Sequence, residues 1–369
     1  MKNKRKITIA IFFMICIMAI QVVPVTGTNS VVGFTLTLEQ AANLAIQNSR
    51  ELRTSRENAD LATTQVNQLR GNIVGGTTVT EMVNSQLAAM NATANRARYL
   101  QSIESQRDTL HFVAANNFTT ILTAENELLI KEFELMLLEQ ELEILRTRIN
   151  LGMASQLEYN MERLNVESVR YNKQRLEQAL ANAHVELNRL MGVSLNRVHQ
   201  LIFEVEYEEL HVLNFNGHIN HHRQNHALVR EARAATDAEH IRVNNYHTAF
   251  NPETGEVIPG QASRNELIMN LNIASRRVID AQDSVQNHIT GTYHKIRQHE
   301  QTIASSIIRL EDLHNQLEIL RARLAVGEIT SIEIERHNLE IKRLEETIRK
   351  TKAEHKLLVM QFSNPNIAF

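Results

Sequence analysis

The chain has 369 residues, and its composition is that of long helices rather than of a sheet protein. It contains only 12 glycines and 4 prolines, has no tryptophan, and is only 5% aromatic. The formal net charge of −3 argues against nucleic acid as a partner, because phosphate binding needs clustered positive charge. The composition therefore predicts an all-α fold.

The first 27 residues have the pattern of an export signal. Four basic residues within positions 2–6 precede an apolar run at residues 7–23, and small residues around Gly27 offer a cleavage point. We predict a signal peptide at residues 1–27. An uncleaved membrane anchor is the alternative, because the apolar run is nearly long enough to span a bilayer. Cleavage would remove Cys16, the only cysteine, and would leave a net charge of about −7.

The first half of the chain reads as a series of helices of increasing length. The sequence Thr37-Leu38-Glu39-Gln40 is a capping box that opens an amphipathic helix, and Asn48-Ser49 marks a bend. Glycines within residues 71–76 break the next helix. From about Glu81 a helical pattern runs to Asn150, which at 1.5 Å per residue makes a rod of roughly 100 Å. A rod of this length must pack side by side with other helices.

Residues 151–155 predict a reversal of the chain. Gly152 can adopt the left-handed conformation that ends a helix, and Ser155 can cap the helix that follows. We predict that the return helix runs from Gln156 to Met191. A short strand is expected at residues 202–207, where apolar and acidic residues partly alternate.

The whole arrangement then occurs a second time. The pentapeptide LEILR at residues 142–146 recurs letter for letter at residues 317–321, an offset of 175 residues. Apolar residues at heptad spacing share this offset: Ile121, Leu128, Leu135, Leu142 and Ile149 in the first copy, and Ile296, Ile303, Leu310, Leu317 and Leu324 in the second. The chain is therefore predicted to be a tandem duplication of a long antiparallel helical hairpin, resembling a coiled-coil bundle.

The duplication also divides the chain into segments. They are predicted as a first helical-hairpin repeat at residues 36–198, a linker at 199–223, a second helical-hairpin repeat at 224–362 and a C-terminal tail at 363–369. In the second repeat the long helix is expected to resume at Ser263, to turn at residues 326–330 and to return to about Phe362.

The start of the first repeat and the two turns together match a known family. Residues 36–42 read LTLEQAA, and both turns read Arg-x-x-x-Gly-x-x-Ser/Thr. Over residues 36–362 the chain resembles the TolC-like outer-membrane efflux protein family. In that family three chains assemble a helical tunnel, and the hairpin turns form its periplasmic end, where adaptor and inner-membrane pump proteins dock. The resemblance implies a homotrimer in an envelope efflux or type I secretion system, exported to the outer membrane, without cofactor or catalysis.

The resemblance assigns partner docking to the turns. The matching residues are Arg148, Gly152, Ser155 and Glu158 in the first turn, and Arg323, Gly327, Thr330 and Glu333 in the second. Simpler structural roles are open for several of them. Arginine is favoured at helix C-termini, and glycine is favoured where a helix stops.

In one respect the sequence departs from the family. Family members usually carry two membrane-spanning strands between the paired helices of each repeat, and these strands close into a barrel. A spanning strand needs about 9–11 residues of alternating pattern. The break at residues 71–80 is too short for two strands, and residues 246–264 contain prolines without clean alternation. We therefore expect the transmembrane β-barrel strands to be largely or wholly missing.

Two other functions are alternatives to a duct. One is a structural or adaptor-like coiled-coil protein of the cell envelope without a conduit. The other is a hydrolase with zinc bound by a histidine cluster in the linker (His218, His221, His222 and His226). A linker lacks the fixed geometry that zinc needs, so a solvated linker is favoured and no metal site is predicted. The sequence His299-Glu300 begins like a zinc-protease helix, but the second histidine of that motif is missing.

Overall fold

A computed structural model describes residues 34–72, 79–202, 207–244 and 263–368, and most of these residues are helical. In chain order the elements are β1 (Phe34–Thr37), α1 (Leu38–Asn48), α2 (Arg50–Asn72), α3 (Val79–Asn150), α4 (Gln156–Met191), β2 (His199–Ile202), α5 (Phe215–Asn225), α6 (Ala227–Asn244), α7 (Arg264–Ala325) and α8 (Ser331–Ser363). A 3₁₀ turn at Pro365–Ala368 follows α8, and β1 pairs with β2. The predicted fold of two tandem helical hairpins is confirmed.

Some of the predictions fall on other parts of the chain. The signal peptide at residues 1–27 and most of the two breaks between paired helices lie outside the described residues, and so these stay predictions. Within the described ranges, no helix carries an apolar stretch sufficient to cross a bilayer.

The helices begin where local chemistry satisfies their free backbone N–H groups. At the start of α1 the Gln40 N–H donates to Thr37 Oγ1 at 3.3 Å, and the Thr37 N–H donates to Gln40 Oε1 at 3.1 Å. This is the predicted capping box. Ser263 caps α7 in a similar way, because its Oγ accepts from the Glu266 N–H at 3.3 Å.

The two repeats bury equivalent side chains. Ile121 on α3 and Ile296 on α7, separated by 175 residues, are both fully buried. Leu187 on α4 and Phe362 on α8 are related by the same offset and are also buried. Each pair belongs to the separate apolar cluster of its own repeat. Burial of such side chains drives the packing of each hairpin.

The four long helices pack in the order α4, α3, α8, α7. Within the first hairpin α3 packs on α4, and within the second α7 packs on α8. The hairpins meet where α8 packs on α3. The shorter helices α1 and α2 pack on α3, while α5 and α6 pack on α7, and α6 also contacts α3.

A row of ion pairs fixes the register between the hairpins. The pairs are Arg336 with Glu141 at 2.6 Å, Arg343 with Glu134 at 2.9 Å, and Lys350 with Glu127 at 3.8 Å. From one pair to the next, the residue number on α8 rises by seven while the residue number on α3 falls by seven. Helices α3 and α8 are therefore antiparallel and keep a single heptad register. Burial by itself would raise the pKa of Glu134, but hydrogen bonds from Lys131 and Arg343 lower that pKa overall.

The segment predicted as a linker at residues 199–223 contains regular structure. A strand lies at His199–Ile202 and shares only Ile202 with the strand predicted at residues 202–207. Residues 203–206 are outside the described ranges, so that part of the prediction is not tested. Pairing with β1 places the strand at His199–Ile202, and His199 is buried with its Nε2 at 2.9 Å from Asn188 Oδ1. Helix α5 begins at Phe215, nine residues before the expected start of the second repeat.

A buried carboxylate ties the middle of this segment to the second hairpin. Glu300 Oε1 accepts from the Leu210 N–H at 2.7 Å and lies 3.3 Å from His355 Nε2, while Oε2 accepts from Arg297 Nη1 at 2.6 Å. Burial opposes the charge, but these hydrogen bonds lower the pKa of Glu300 on balance. The Glu300 of the incomplete zinc-protease motif therefore anchors the backbone of the connecting segment.

Candidate docking site at the hairpin turns

The two turns have the same backbone geometry. In each, the glycine N–H and the next N–H donate to carbonyls three and five residues earlier, which satisfies the end of the descending helix. The distances are 2.9 and 2.8 Å in the first turn and 3.0 and 3.0 Å in the second. Gly152 and Gly327 have φ values of +74° and +79°, and a Cβ at either would meet nothing within 4 Å. The backbone conformation therefore requires glycine, whereas the space around it does not.

We expect Gly327→Ala to lower the free energy of unfolding by about 1–2 kcal/mol, because an L side chain is strained in the left-handed conformation. Gly291 provides a matched control: it is exposed within α7, has no positive φ, and has open space around it. Gly291→Ala should raise stability by about 0.5–1 kcal/mol. Urea unfolding followed by circular dichroism measures both changes, and changes of the same sign would contradict this explanation of the turn.

The polar residues just after each glycine cap the return helices. Ser155 N–H donates to Glu158 Oε2 at 2.8 Å, and Glu158 N–H donates to Ser155 Oγ at 3.2 Å. In the second turn Thr330 N–H donates to Glu333 Oε1 at 3.4 Å. These four residues, which the resemblance assigns to docking, therefore also have a structural role in starting α4 and α8.

The two turn arginines have different surroundings. Arg323 Nε lies 3.1 Å from Glu328 Oε2, so its charge is partly satisfied within its own turn. Methionine (Met153) occupies the position of Glu328 in the first turn. Arg148 is exposed, and among the described residues it forms no ion pair. The first turn therefore presents a cation that is free to meet an acidic partner.

Apolar side chains surround the first turn. Leu151, Met153 and Leu157 are 68%, 74% and 68% exposed. In the second turn Val326 is exposed, but Ile329 is buried against the cluster between α7 and α8. Sequence reasoning missed this apolar surface. Its signal was the leucine and methionine on either side of Gly152, at positions where a solvated turn would carry polar residues.

The histidine cluster is not a solvated linker, so that prediction was wrong. His218, His221 and His222 lie on α5, and His226, which ends this helix, is only 2% exposed. Across the part of the chain that the structure describes, no group of three or more potential ligands is placed to hold a metal.

Comparisons with known proteins place the fold. Neither a protein-family model nor a curated protein sequence matches the chain. A CusC structure superposes with a TM-score of 0.61 at 14% identity, covering 93% of this chain and 96% of CusC. The outer-membrane protein VceC of Vibrio cholerae superposes with a TM-score of 0.56 at 14% identity, covering 88% of this chain and 95% of the VceC chain. The open MtrE outer-membrane channel of Neisseria gonorrhoeae superposes with a TM-score of 0.54 at 13% identity, covering 91% of this chain and 93% of the MtrE chain.

Duplicated helical hairpins, each reversed at a glycine with positive φ, define the class of fold. The chain has the fold of TolC-like outer-membrane efflux channels over about 90% of its length. The resemblance seen in the sequence is thus confirmed at the level of the fold. The CusC and MtrE structures are of membrane channels rather than enzymes.

Proposed function

We propose that the chain is a duct component of an envelope efflux or type I secretion system. In this proposal it is exported to the outer membrane and assembles with two further copies into a helical tunnel. The residues at the two turns dock a periplasmic adaptor and an inner-membrane transporter. The shared fold supports this proposal, and so do the exposed faces of the two helices at the edges of the layer.

The observation that carries the proposal is the different exposure of equivalent residues on α4 and α8. Leu339 is 7% exposed on α8, which packs between α3 and α7. Its counterpart Leu164 on α4 is 67% exposed. Glu346 and its counterpart Tyr171 show the same contrast, at 7% and 68%. The face that is covered on α8 is therefore uncovered on α4.

The opposite edge of the layer shows the complementary contrast. On α3 the ring of Phe133 lies 4.2 Å from Lys342 Nζ of α8. The counterpart of Phe133 on α7 is Ile308, which is 69% exposed. The position that faces α8 on helix α3 is therefore exposed on the equivalent helix α7.

Further copies can cover both edges by repeating a contact that already exists. Helix α4 of one copy would pack on α7 of the next as α8 packs on α3 within the chain. A contact between two different surfaces closes into a ring when the rotation between copies allows it. Contacts within chains and between chains would then alternate around the tunnel wall.

Mass photometry of the mature protein in mild detergent tests the assembly. The expected mass is that of three copies. A strictly monomeric protein under all conditions would contradict the tunnel and would favour a coiled-coil envelope protein without a conduit.

A further inference from the structure

The joint between α5 and α6 is the counterpart of the joint between α1 and α2. Near these joints the repeats are offset by 177 residues, so that Ser49 corresponds to His226 and Leu52 to Val229. Ser49 has φ −64° and ψ 118°, and His226 has φ −61° and ψ 145°. Leu52 and Val229 are 1% and 0% exposed. The two joints therefore share one backbone design.

Different side chains cap the helix that follows each joint. In the first joint the Leu52 N–H donates to Ser49 Oγ at 3.1 Å. In the second the Leu228 N–H donates to His226 Nδ1 at 3.2 Å. A serine oxygen accepts this hydrogen bond at any physiological pH, whereas a histidine Nδ1 can accept only while it is unprotonated.

The residues that follow α8 lie beside the His226 ring. Because Nδ1 accepts a hydrogen bond, the proton of the neutral ring lies on Nε2, and the nearby Pro365 carbonyl raises the pKa of the ring. Pro365 belongs to residues 362–368, here called the clasp segment. This segment also bonds to α6 directly, because Asn366 Oδ1 accepts from the Ala227 N–H at 3.1 Å.

The clasp segment joins the two repeats. Asn364 Nδ2 donates to Asp108 Oδ2 on α3 at 2.6 Å, and Ser105 Oγ on α3 donates to the Asn366 carbonyl at 3.3 Å. The segment therefore bonds to α6 in the second repeat and to α3 in the first. Loss of its bonds at the second joint would loosen a connection between the repeats.

Histidines lie next to the clasp segment along one face of α5. His218, His222 and His226 correspond to Ala41, Ala45 and Ser49 of the first joint. The His218 ring stacks on Phe362 with centroids 4.3 Å apart, and its Nε2 lies 2.9 Å from the Phe362 carbonyl oxygen. The His222 ring contacts the His218 ring edge to face at 4.6 Å. Side chains that titrate thus replace three that do not.

The surroundings favour the neutral form of this row. Burial has the largest effect on all three rings and lowers each pKa, that of His222 to about 4. His288 on α7 and Arg230 on α6 lower the pKa of His226 further by charge repulsion.

Carboxylates in the same region are engaged elsewhere. Asp283 on α7 pairs with Arg223 of α5 at 3.3 Å, and Asp108 on α3 accepts from Asn364. From the end of α8 and the clasp segment, the groups that face the row are the Phe362 and Pro365 carbonyls. They raise the pKa values of His218 and His226, but burial outweighs them and the net shift is downward.

We propose that His226 is an acid-released cap, whose protonation breaks the hydrogen bond to the Leu228 N–H and loosens the start of α6, where Ala227 bonds to the clasp segment, while the first joint stays closed. A proton on Nδ1 would point at the Leu228 N–H, so the hydrogen bond that starts α6 could not form. The lowered pKa sets the direction of the effect. The stability of this joint is complete above about pH 6.5, the pKa of an unperturbed histidine, and is lost as pH falls through the folded-state pKa.

Hydrogen–deuterium exchange of the full chain tests the proposal at about pH 7.5 and about pH 5, after correction for intrinsic exchange. Protection of amides 227–230 should fall at the lower pH, by up to about thirtyfold, because pH 5 lies about 1.5 units below the pKa of an unperturbed histidine. Amides 50–53 of the first joint provide the internal control and should keep their protection.

Two variants separate His226 from the other histidines. His226→Ser copies the first joint, and His226→Asn keeps an acceptor for the Leu228 N–H that does not titrate. In at least one of them, circular dichroism should show wild-type helicity and protection should persist at about pH 5. Unchanged protection in the wild type, equal loss at both joints, or loss that persists in every folded variant would overturn the proposal.

Discussion

Leu164→Glu and Ile308→Glu are each expected to leave the protomer folded but to break the assembly into single copies. The two side chains are 67% and 69% exposed within one chain, so neither substitution removes packing from a core. In the proposed contact between α4 and α7 of neighbouring copies, either carboxylate would be desolvated against apolar side chains without a partner. The cost is several kcal/mol at each contact, which amounts to a loss of affinity of at least about a hundredfold.

Mass photometry and circular dichroism of the same samples separate assembly from folding. The matched control is Leu129→Glu on α3, because Leu129 is 62% exposed but lies on an inner helix of the layer. The control should keep the mass of three copies. If Leu164→Glu assembles as the control does, α4 is not an edge that further copies cover.

Reversing both turn arginines, in Arg148→Glu with Arg323→Glu, is expected to abolish export without changing the helix content. Like charges placed across an interface cost several kcal/mol, which is enough to prevent a partner from docking. Both side chains lie in the last turn of their helices, so the reversal also removes a favourable interaction with the helix dipole of about 0.3–1 kcal/mol each. The unfolding free energy must therefore be measured beside export.

Complementation of a host strain that lacks the chain measures export, by accumulation of a fluorescent efflux substrate. The control pair is Arg146→Glu with Arg321→Glu, in the recurring pentapeptide. These exposed arginines bond to Glu143 and Glu318 of their own helices, at 3.7 and 2.6 Å. Wild-type export by the Arg148 and Arg323 double variant, or an equal loss in the control pair, would count against docking at the turns.

The sequence was sufficient to predict the long hairpins because their determinants are local or periodic. The 175-residue offset relates Gly152 to Gly327, and both glycines end long helices with positive φ. The capping box at Thr37 starts α1 as expected. The interactions involved reach at most a few residues along the chain, so a single sequence exposes them.

The remaining features depend on contacts between distant residues. Glu300 accepts a hydrogen bond from the Leu210 N–H, 90 residues earlier in the chain, and no local motif predicts such a bond. A cluster of histidines is polar and so predicts a solvated segment, but His226 is 2% exposed and the next residue, Ala227, bonds to Asn366 of the clasp segment. Burial of a polar side chain is set by what packs on it, and the sequence near His226 does not contain that information.

In the proposed tunnel, the contact between α3 and α8 recurs between α7 and α4 of neighbouring copies. Arg336 on α8 pairs with Glu141 on α3. The equivalent residues of the other repeat are Met161 on α4 and Gln316 on α7, and both are exposed within one chain. In a Cys16→Ser background, Met161→Cys with Gln316→Cys can be treated with a short bismaleimide. Positions that normally pair through long side chains are too far apart for a disulfide, and a bismaleimide can span the larger distance between the two cysteines.

Because α4 and α7 lie at opposite edges of the layer, the two cysteines should react only between copies. Thr302→Cys in place of Gln316→Cys is the control, since it lies on the same face of α7 but about 21 Å along the helix. We expect covalent dimers and trimers on a denaturing gel for the Met161 and Gln316 pair and very few for the control. Monomers alone, or equal yields from both pairs, would contradict it.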